Sequence, residues 1–292
     1  MVADPVPKRI ALVVHPTRDV DRALATLTHW AGERGVDVVQ LAAHGAPQPE
    51  FAAPGTLQDG DLVIAVGGDG TVLAALRAAA ATSAPVLGVA CGSLGALSAV
   101  AAEQLAGALE RVWAGEWTPR SLPALAIGTV GAPEDWAAND WVVVRRGAGQ
   151  VVAEVAVDDE LYVRVAGDGL VVATALGSSA YSMAAGGPLL AAGTAAFLCT
   201  PLAMHGGSAP PLVVPADAAV TVEVHPGYAG FDVEIDGQRR AVEGQSFRLT
   251  LHPAKLTLVT FGPSGRGLAG LRKRRLIADS PRVLARDARA GR

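Results

Sequence analysis

Hydrophobic and polar positions in residues 1–118 follow two alternating patterns. Short apolar runs rich in branched residues predict buried strands at Arg9–Val14, Val36–Leu41, Leu62–Val66 and Ala84–Val89. The segments between them have helical spacing, from about Asp19 to Arg34, over Val72–Ala81 and over Ala101–Trp113. Strands that alternate with helices predict a parallel, doubly wound α/β sheet, whose ligands bind at the carboxyl ends of the strands.

After Trp117-Thr118-Pro119 the pattern changes to short strands without long helices. The predicted strands are Ala124–Thr129, Trp136–Arg145, Val152–Val157, Leu161–Val165, Gly169–Thr174, Ala219–Val224, Phe231–Ile235, Ser246–Leu251 and Leu256–Thr260. This spacing predicts an antiparallel sandwich or a layered sheet. We therefore expect an α/β nucleotide-binding domain at 1–118, a mostly-β domain at 119–270, and a basic segment at 271–292 that packs back on the N-terminal domain.

The strand predicted at Leu62–Val66 leads directly into Gly67-Gly68-Asp69-Gly70-Thr71, which we name the GGDGT turn. Glycines let the backbone approach a ligand, and a helix capped by Thr71 would present its N–H groups to phosphate. A carboxylate repels phosphate, so Asp69 is better explained as a base or as a magnesium-side ligand than as a phosphate binder. A glycine-rich turn alone is equally compatible with a structural tight turn.

Hydroxyl-bearing residues are concentrated in a second stretch, Thr174–Ser182, which we name the hydroxyl segment. Its hydroxyls belong to Thr174, Ser178, Ser179, Tyr181 and Ser182, and it carries no charge. Local patterns predict a strand, a turn of small residues and a short helix capped near Ser178. Hydroxyls at a helix start can hold a ribose or a phosphate, although much of this composition needs no function.

Composition excludes several classes of protein. Half of the 292 residues are apolar, which is enough for a substantial core. A formal charge of −4 argues against a general nucleic-acid binder. Cys91 and Cys199 lie far apart, which fits buried thiols in a reducing cytosol better than a disulfide framework. We find no signal-peptide pattern and no uninterrupted membrane span, so we expect a cytoplasmic protein without a membrane partner.

The letters GGDGT resemble the signature shared by NAD kinases, diacylglycerol and sphingoid lipid kinases and, more loosely, phosphofructokinases. Residues 168–188 resemble the NAD kinase motif D-G-x-x-x-x-T-P-x-G-S-T-A-Y-S followed by G-G-P, which lipid kinases lack. Further similarities follow in family order, at Asn139-Asp140, Thr200-Pro201, Asp236-Gly237-Gln238 and Leu271-Arg272-x-Arg274-Arg275-Leu276. The resemblance covers about residues 9 to 276 and implies an NAD kinase.

The resemblance implies that ATP phosphorylates the 2′-hydroxyl of the adenosine ribose of NAD, with magnesium and with Asp69 as the catalytic base. It implies that Gly67, Gly68, Gly70 and Thr71 pack against phosphates. Residues implied to bind NAD are Asn139, Asp140, Asp168, Thr174, Ser178, Ser179, Ala180, Tyr181, Ser182 and Asp236. No residue of the chain is predicted as a metal ligand. A homo-oligomer, dimer or tetramer, with a shared active site is also implied.

Four positions depart from the family pattern: Ala96 replaces an aromatic residue, Asp140 a glutamate, Ala175 a proline, and Pro210 an arginine. These changes leave open a kinase that acts on another hydroxyl, in a nucleoside-like metabolite or a lipid. A non-catalytic nucleotide-binding regulator is a further alternative, against which the retained carboxylate of Asp69 argues. The use of polyphosphate or NADH also stays open.

Overall fold

A computed structural model describes residues 7–42, 49–130, 134–242, 244–262, 271–272 and 276–290. It contains a 12-stranded sheet and a six-stranded sheet. Arg274 and Arg275 of the predicted closing motif lie outside the described residues. In the described part of the chain, no helix is both long enough and apolar enough to cross a membrane.

The strands of the N-terminal half are β1 (Arg9–Val14), β2 (Asp37–Gln40), β3 (Ala53–Pro54), β4 (Asp61–Gly67), β5 (Val86–Ala90) and β6 (Val100–Ala101). Those that follow are β7 (Thr118–Thr129), β8 (Asp135–Ala137), β9 (Asp140–Arg145), β10 (Val151–Val157), β11 (Glu160–Gly167), β12 (Gly169–Thr174), β13 (Ala196–Leu202), β14 (Leu212–Pro215), β15 (Ala219–Pro226), β16 (Phe231–Ile235), β17 (Gln238–Arg240) and β18 (Ser246–Thr260). The helices are α1 (Asp21–Arg34), α2 (Asp69–Ala79), α3 (Leu105–Trp113), α4 (Tyr181–Ala184) and a C-terminal helix at Pro281–Ala290.

The N-terminal half is a parallel sheet with helices on both faces. Its strand order is β5-β4-β1-β2-β3, and each neighbouring pair is parallel. Side chains alternate along β1, so that Ile10, Leu12 and Val14 pack with α1 and α3. Ala11 and Val13 point to the opposite face and pack with α2. The predicted doubly wound α/β architecture is confirmed.

The C-terminal half is mostly β and is built from two layers. The six-stranded sheet has the order β14-β13-β12-β9-β16-β17 and is antiparallel throughout. It packs on the antiparallel strands β10, β15 and β18 through one apolar core. At the centre of that core Trp141 meets Phe247, with ring centroids 5.0 Å apart. This arrangement confirms the layered sheet predicted from the strand spacing.

One long strand joins the two halves. β18 pairs with β15 and β7, and its last residues reach β5, where Leu258 lies opposite Val86. The sequence predicts two separate strands here, Ser246–Leu251 and Leu256–Thr260. The structure instead accommodates the break as a register irregularity between His252 and Leu256. Conversely, the single strand predicted at Trp136–Arg145 is divided into β8 and β9.

Candidate active site

The GGDGT turn connects β4 to α2 through its backbone. Gly68 is the N-cap in an extended conformation, and its carbonyl accepts hydrogen bonds from the N–H groups of Thr71 (3.0 Å) and Val72 (3.1 Å). Thr71 lies inside the first turn of α2, so the expectation that it caps this helix is wrong. Its side chain instead packs against Gly67, where an added Cβ would lie 2.3 Å from Thr71 Oγ1. The close fit explains the glycine.

Asp69 is the first residue of α2, and its carboxylate is fixed by the loop that follows β5. Its Oδ2 accepts a hydrogen bond from the N–H of Ala96 (2.8 Å), and its Oδ1 accepts one from Leu97 (3.1 Å). A Cβ on Gly95 would lie 1.9 Å from Asp69 Oδ1, so only glycine leaves room for the carboxylate. Because Ala96 uses its backbone, its departure from the family pattern leaves this contact intact.

An exposed cation that sequence analysis missed lies across this turn. The guanidinium of Arg18 approaches Gly68, where an added Cβ would be 3.2 Å from its terminal nitrogen. That nitrogen also donates to the carbonyl of Cys91 (3.1 Å). His15 Nδ1 accepts from the N–H groups of Thr17 (3.2 Å) and Arg18 (3.1 Å), which orients the loop. Burial, with help from Arg18, lowers the pKa of His15.

The hydroxyl segment begins with a buried threonine. Thr174 Oγ1 donates to the carbonyl of Ala138 (2.7 Å) and accepts from the N–H of Gly177 (3.1 Å). The N–H of Thr174 donates to the carbonyl of Asn139 (2.8 Å). Gly177 packs so closely on Asn139 that an added Cβ would lie 2.0 Å from its carbonyl oxygen. Thr174 therefore connects the segment to Asn139 and is itself fully buried.

Ser178 and Ser182 are also fully buried. Ser178 Oγ donates to the carbonyl of Ala175 (2.7 Å) and accepts from the N–H of Leu190 (3.0 Å). Ser182 Oγ lies 2.8 Å from Thr200 Oγ1. These hydroxyls support the local fold. The predicted cap at Ser178 is wrong, since α4 begins at Tyr181 after a separate 3-10 turn at Gly177–Ser179.

The hydroxyl segment reaches the surface at Ser179, Ala180 and Tyr181. Ala180 and Tyr181 are exposed, while Ser179 is half-buried and donates to the carbonyl of Leu176 (3.3 Å). Partial burial raises the pKa of Tyr181, followed by the negative charges of Glu234, Asp168 and Asp140. Only one face of the segment is therefore free to meet a ligand.

Asn139 and Asp140 lie at the interruption between β8 and β9. Asn139 is half-buried, whereas Asp140 is buried. Burial raises the pKa of Asp140 to about 7, and the charges of Asp236 and Glu234 add to this rise. Asp140 thus has an environment that favours its protonated form near neutral pH.

Asp236 holds this interruption in place. Its Oδ1 accepts from the N–H groups of Asn139 (2.7 Å) and Asp140 (3.3 Å), and its Oδ2 accepts from Ala138 (3.1 Å). Arg77 of α2 completes the set, with a nitrogen 3.2 Å from Asp236 Oδ2. The Asp236 side chain is 3% exposed, so its carboxylate supports the backbone rather than facing a ligand directly.

Asp168 lies where the chain passes from β11 in one sheet to β12 in the other. It remains 40% exposed, and Arg145 Nε donates to its Oδ1 (2.5 Å). Gly167 and Gly169 flank it, and an added Cβ on Gly169 would lie 1.9 Å from the carbonyl oxygen of Val143. The close packing of these glycines fixes the backbone on both sides of the carboxylate.

The two predicted motifs share one apolar core. Val72, Ala75 and Leu76 on α2 belong to the same cluster as Ala138, and Leu176 of the hydroxyl segment packs against it. Sequence motifs that are about 100 residues apart therefore lie on neighbouring elements. Among the described residues, no group of three His, Cys, Asp or Glu side chains is arranged to hold a metal ion.

Comparisons with known proteins agree with this architecture. A family model of the ATP-NAD kinase N-terminal domain matches residues 51–117, and one of the ATP-NAD kinase C-terminal domain matches residues 138–254. The NAD kinase of Heliobacterium modesticaldum is 35% identical over 73% of this chain and 78% of its own. That of Chloroflexus aurantiacus is 32% identical over 89% of this chain and 95% of its own.

A solved structure described as yeast NADH kinase complexed with NADH has a TM-score of 0.78 to this chain. At 20% identity it covers 95% of this chain and 89% of its own, which shows a shared fold. The family models, the identity of the bacterial relatives and the extent of their coverage all agree with the motifs in the structure. This chain belongs to the NAD kinase family.

Proposed function

We propose that this chain, an enzyme of the NAD kinase family, transfers the γ-phosphoryl group of ATP to the 2′-hydroxyl of the adenosine ribose of NAD. Family membership supports phosphorylation of NAD with ATP. The single observation that carries the mechanism is the position of Asp69. This residue begins helix α2 at the glycine turn, and its carboxylate is fixed by the N–H groups of Ala96 and Leu97. This position suits a general base.

A sugar hydroxyl is a poor nucleophile unless a base within hydrogen-bond reach removes its proton. The backbone contacts fix the direction of the Asp69 carboxylate before substrate arrives, and each oxygen keeps a second lone pair that can accept the proton. Asp69 is half-buried, so the same side chain is held by the protein and still accessible from solvent. Fixed orientation reduces the reorganisation needed in the transition state.

The donor phosphates are proposed to lie against Gly67, Gly68, Gly70 and the first turn of α2. Glycine allows close approach, and the positive end of the helix dipole favours an anion. Arg18 adds a full positive charge beside Gly68. Its guanidinium has further N–H groups that can donate hydrogen bonds to a phosphate oxygen.

NAD is proposed to contact Asn139, Asp168, Ser179 and Tyr181, whose side chains are at least partly exposed, together with Ala180 and the buried Asp140 next to Asn139. Thr174, Ser178, Ser182 and Asp236, which the motif also includes, are proposed to hold these groups in position. Their hydroxyls and carboxylate already make hydrogen bonds within the protein. The binding surface and its support are thus separate sets of residues.

Magnesium is proposed to accompany the phosphates of ATP and to neutralise charge during transfer. Magnesium binds few protein ligands when substrate phosphates supply oxygens. The chain fits that mode, because the carboxylate oxygens of Asp69 each accept a backbone N–H and no three-residue acidic cluster occurs among the described residues.

We also propose that the protein is cytoplasmic and forms a homo-oligomer. Light scattering over a range of protein concentrations tests the oligomeric state.

The test compares Asp69→Asn with Asp21→Asn. Asp21 is the first residue of α1, as Asp69 is of α2, but α1 packs on the opposite face of the sheet from α2. Removing the base is expected to lower kcat for NAD by about 10²- to 10⁴-fold while NAD binding persists. Asp21→Asn should keep its turnover. Normal turnover with weakened NAD binding in Asp69→Asn contradicts the role of base, and absence of NAD phosphorylation in the unaltered enzyme contradicts the activity.

A further inference from the structure

A buried arginine lies on the same helix as Asp69. Arg77 follows Asp69 by about two helical turns, and its side chain is 8% exposed. One nitrogen donates to the carbonyl of Trp136 (2.8 Å) and to Asp236 Oδ2 (3.2 Å). The guanidinium also lies over the Trp136 ring, 4.8 Å from its centroid. Arg77 therefore connects the catalytic helix to the second half of the chain.

Asp236 extends this connection to the proposed NAD-binding residues. It occupies a two-residue hairpin turn with Gly237, in which both residues have positive φ (50° and 72°). This turn type suits Asp-Gly. The turn points the carboxylate at the backbone N–H groups of Ala138, Asn139 and Asp140. The position of this backbone thus depends on the position of Asp236.

Asp236 is the buried carboxylate that pairs with Arg77, whose other terminal nitrogen lies 3.6 Å from the more exposed Asp135. An unpaired carboxylate or guanidinium in the protein interior is strongly unfavourable. A buried ion pair adds little stability relative to an apolar replacement, whereas its geometry specifies how two elements meet. Arg77 also has a buried Nε without a hydrogen-bond partner within the described part of the chain, so its position is not simply optimised for stability.

We propose that the ion pair between Arg77 and Asp236 is a positioning contact that sets the distance between Asp69 and the Asn139–Asp140 backbone. The continuous series of contacts runs from Asp69 through α2 to Arg77, then through Asp236 to Asn139 and Asp140. This inference rests on the proposed function, since it treats Asp69 as the base and Asn139 and Asp140 as part of the acceptor site. Arg77 and Asp236 act through other residues and not on the reacting atoms.

The chain provides a matched control pair. Arg9 and Asp61, at the amino ends of β1 and β4, have side chains 17% and 2% exposed, against 8% and 3% for Arg77 and Asp236. Arg9 also donates to a backbone carbonyl, that of Thr56 (2.8 Å), as Arg77 does to Trp136. The GGDGT turn lies at the opposite end of β4. Loss of this pair should reduce stability without misaligning the site.

The experiment measures kcat, KM for NAD, ATP-analogue binding and thermal unfolding for Arg77→Met, Asp236→Asn and their double variant. A misalignment remote from the chemistry is expected to lower kcat by about 10- to 100-fold. The double variant should lose no more than the worse single variant, because the pair acts as a unit. ATP-analogue binding should change little. Arg9→Met and Asp61→Asn should lower the unfolding temperature and keep kcat.

A second readout uses the pH dependence of kcat/KM for NAD. The charges that act on Asp140 are those of Asp236 and Glu234, and Arg77 pairs with Asp236. Asp140 in turn acts on Tyr181 of α4. Asp236→Asn removes one repelling charge, which lowers the pKa of Asp140. Because Asp140 is proposed to contact NAD, the pH at which kcat/KM for NAD changes should shift to a lower value in this variant. A loss of stability alone does not move it.

Unchanged kcat in Arg77→Met and Asp236→Asn overturns the positioning role, provided that Asp69→Asn is inactive. If Arg77→Met does not fold, Arg77→Lys and Asp236→Asn are compared with Arg9→Lys and Asp61→Asn, and equal kcat in the two pairs overturns it. Full activity of Asp69→Asn instead contradicts the role of Asp69 as the base, and absence of NAD phosphorylation in the unaltered enzyme contradicts the proposed function itself.

Discussion

The GGDGT turn and the hydroxyl segment are both rich in small and polar residues, yet they use their polar side chains in opposite ways. In the turn, Asp69 is half-buried and held by backbone N–H groups, with solvent still within reach. In the segment, Thr174, Ser178 and Ser182 are fully buried and bonded within the protein. The proposed base and the hydroxyls that support the local fold therefore differ in burial.

The largest expected effect is on the turn side and comes from Gly95→Ala. The new Cβ would lie 1.9 Å from Asp69 Oδ1, so the carboxylate must turn away from its position. We expect kcat to fall by about 10²- to 10⁴-fold, as if the base were absent. Gly107→Ala on α3, where an added Cβ meets nothing within 4 Å, is the control. Normal turnover in Gly95→Ala contradicts the fixed orientation of Asp69.

A second effect concerns Asp140, which follows the residue that contacts the hydroxyl segment, Asn139. Its pKa is raised from 3.8 to about 7, so the folded protein binds more protons than the unfolded chain between these values. Stability should therefore decrease as pH rises from about 4 through 7. Between pH 5 and 8 the loss relative to Asp140→Asn should be about 2–3 kcal/mol. Denaturant unfolding at both pH values measures it, and parallel pH curves contradict it.

A smaller effect separates support from surface within the hydroxyl segment. Ser178→Ala leaves the N–H of Leu190 without its partner and should lower the free energy of unfolding by about 1–2 kcal/mol. Tyr181→Ala removes an exposed ring that is proposed to contact NAD, so it should raise KM for NAD. Because the ring is exposed, stability should change by about 0.5 kcal/mol or less. Denaturant unfolding and steady-state kinetics together measure both changes. A loss of stability in Tyr181→Ala together with a raised KM in Ser178→Ala contradicts the division into supporting and surface residues.

The smallest expected effect is that of Arg18→Ala. Arg18 is exposed, so its attraction for a donor phosphate is screened, and KM for ATP should rise by about two- to fivefold. The difference from the unaltered enzyme should shrink as salt is added. Arg22→Ala is a suitable control, because Arg22 is 70% exposed and pairs with Glu103. An equal rise in both variants contradicts a specific phosphate contact.

Local patterns predicted the fold well because they depend on neighbouring residues. The apolar run of β4 is buried throughout. Helix α1 ends at Arg34, as predicted from sequence, and Gly35 follows it in the left-handed conformation (φ 63°). The cap at Thr71 was wrong because the extended Gly68 starts the helix with backbone contacts alone. β13 was missed because glycine and proline around it weaken its strand pattern.

The candidate site was predictable only where the motif letters themselves carry the chemistry. Asp69 follows from its glycine context, but the need for glycine at position 95 arises from a contact between distant residues. Arg18 and Arg77 resemble ordinary charges on helical or loop segments until the fold places them beside Gly68 and Asp236. A single sequence does not encode these distances in any local pattern.

The course of β18 has a consequence for how this protein can be divided. Leu258 pairs with Val86, and Leu256 and Leu258 fill the core beneath α2. A polypeptide truncated at residue 118 would lack these side chains and would leave the start of β5 unpaired at Val86, while β6 still pairs with its end. An unpaired strand edge is prone to recruiting strands from other molecules. The glycine signature is therefore not a portable module, because its scaffold is completed by residues that lie about 190 positions later in the sequence.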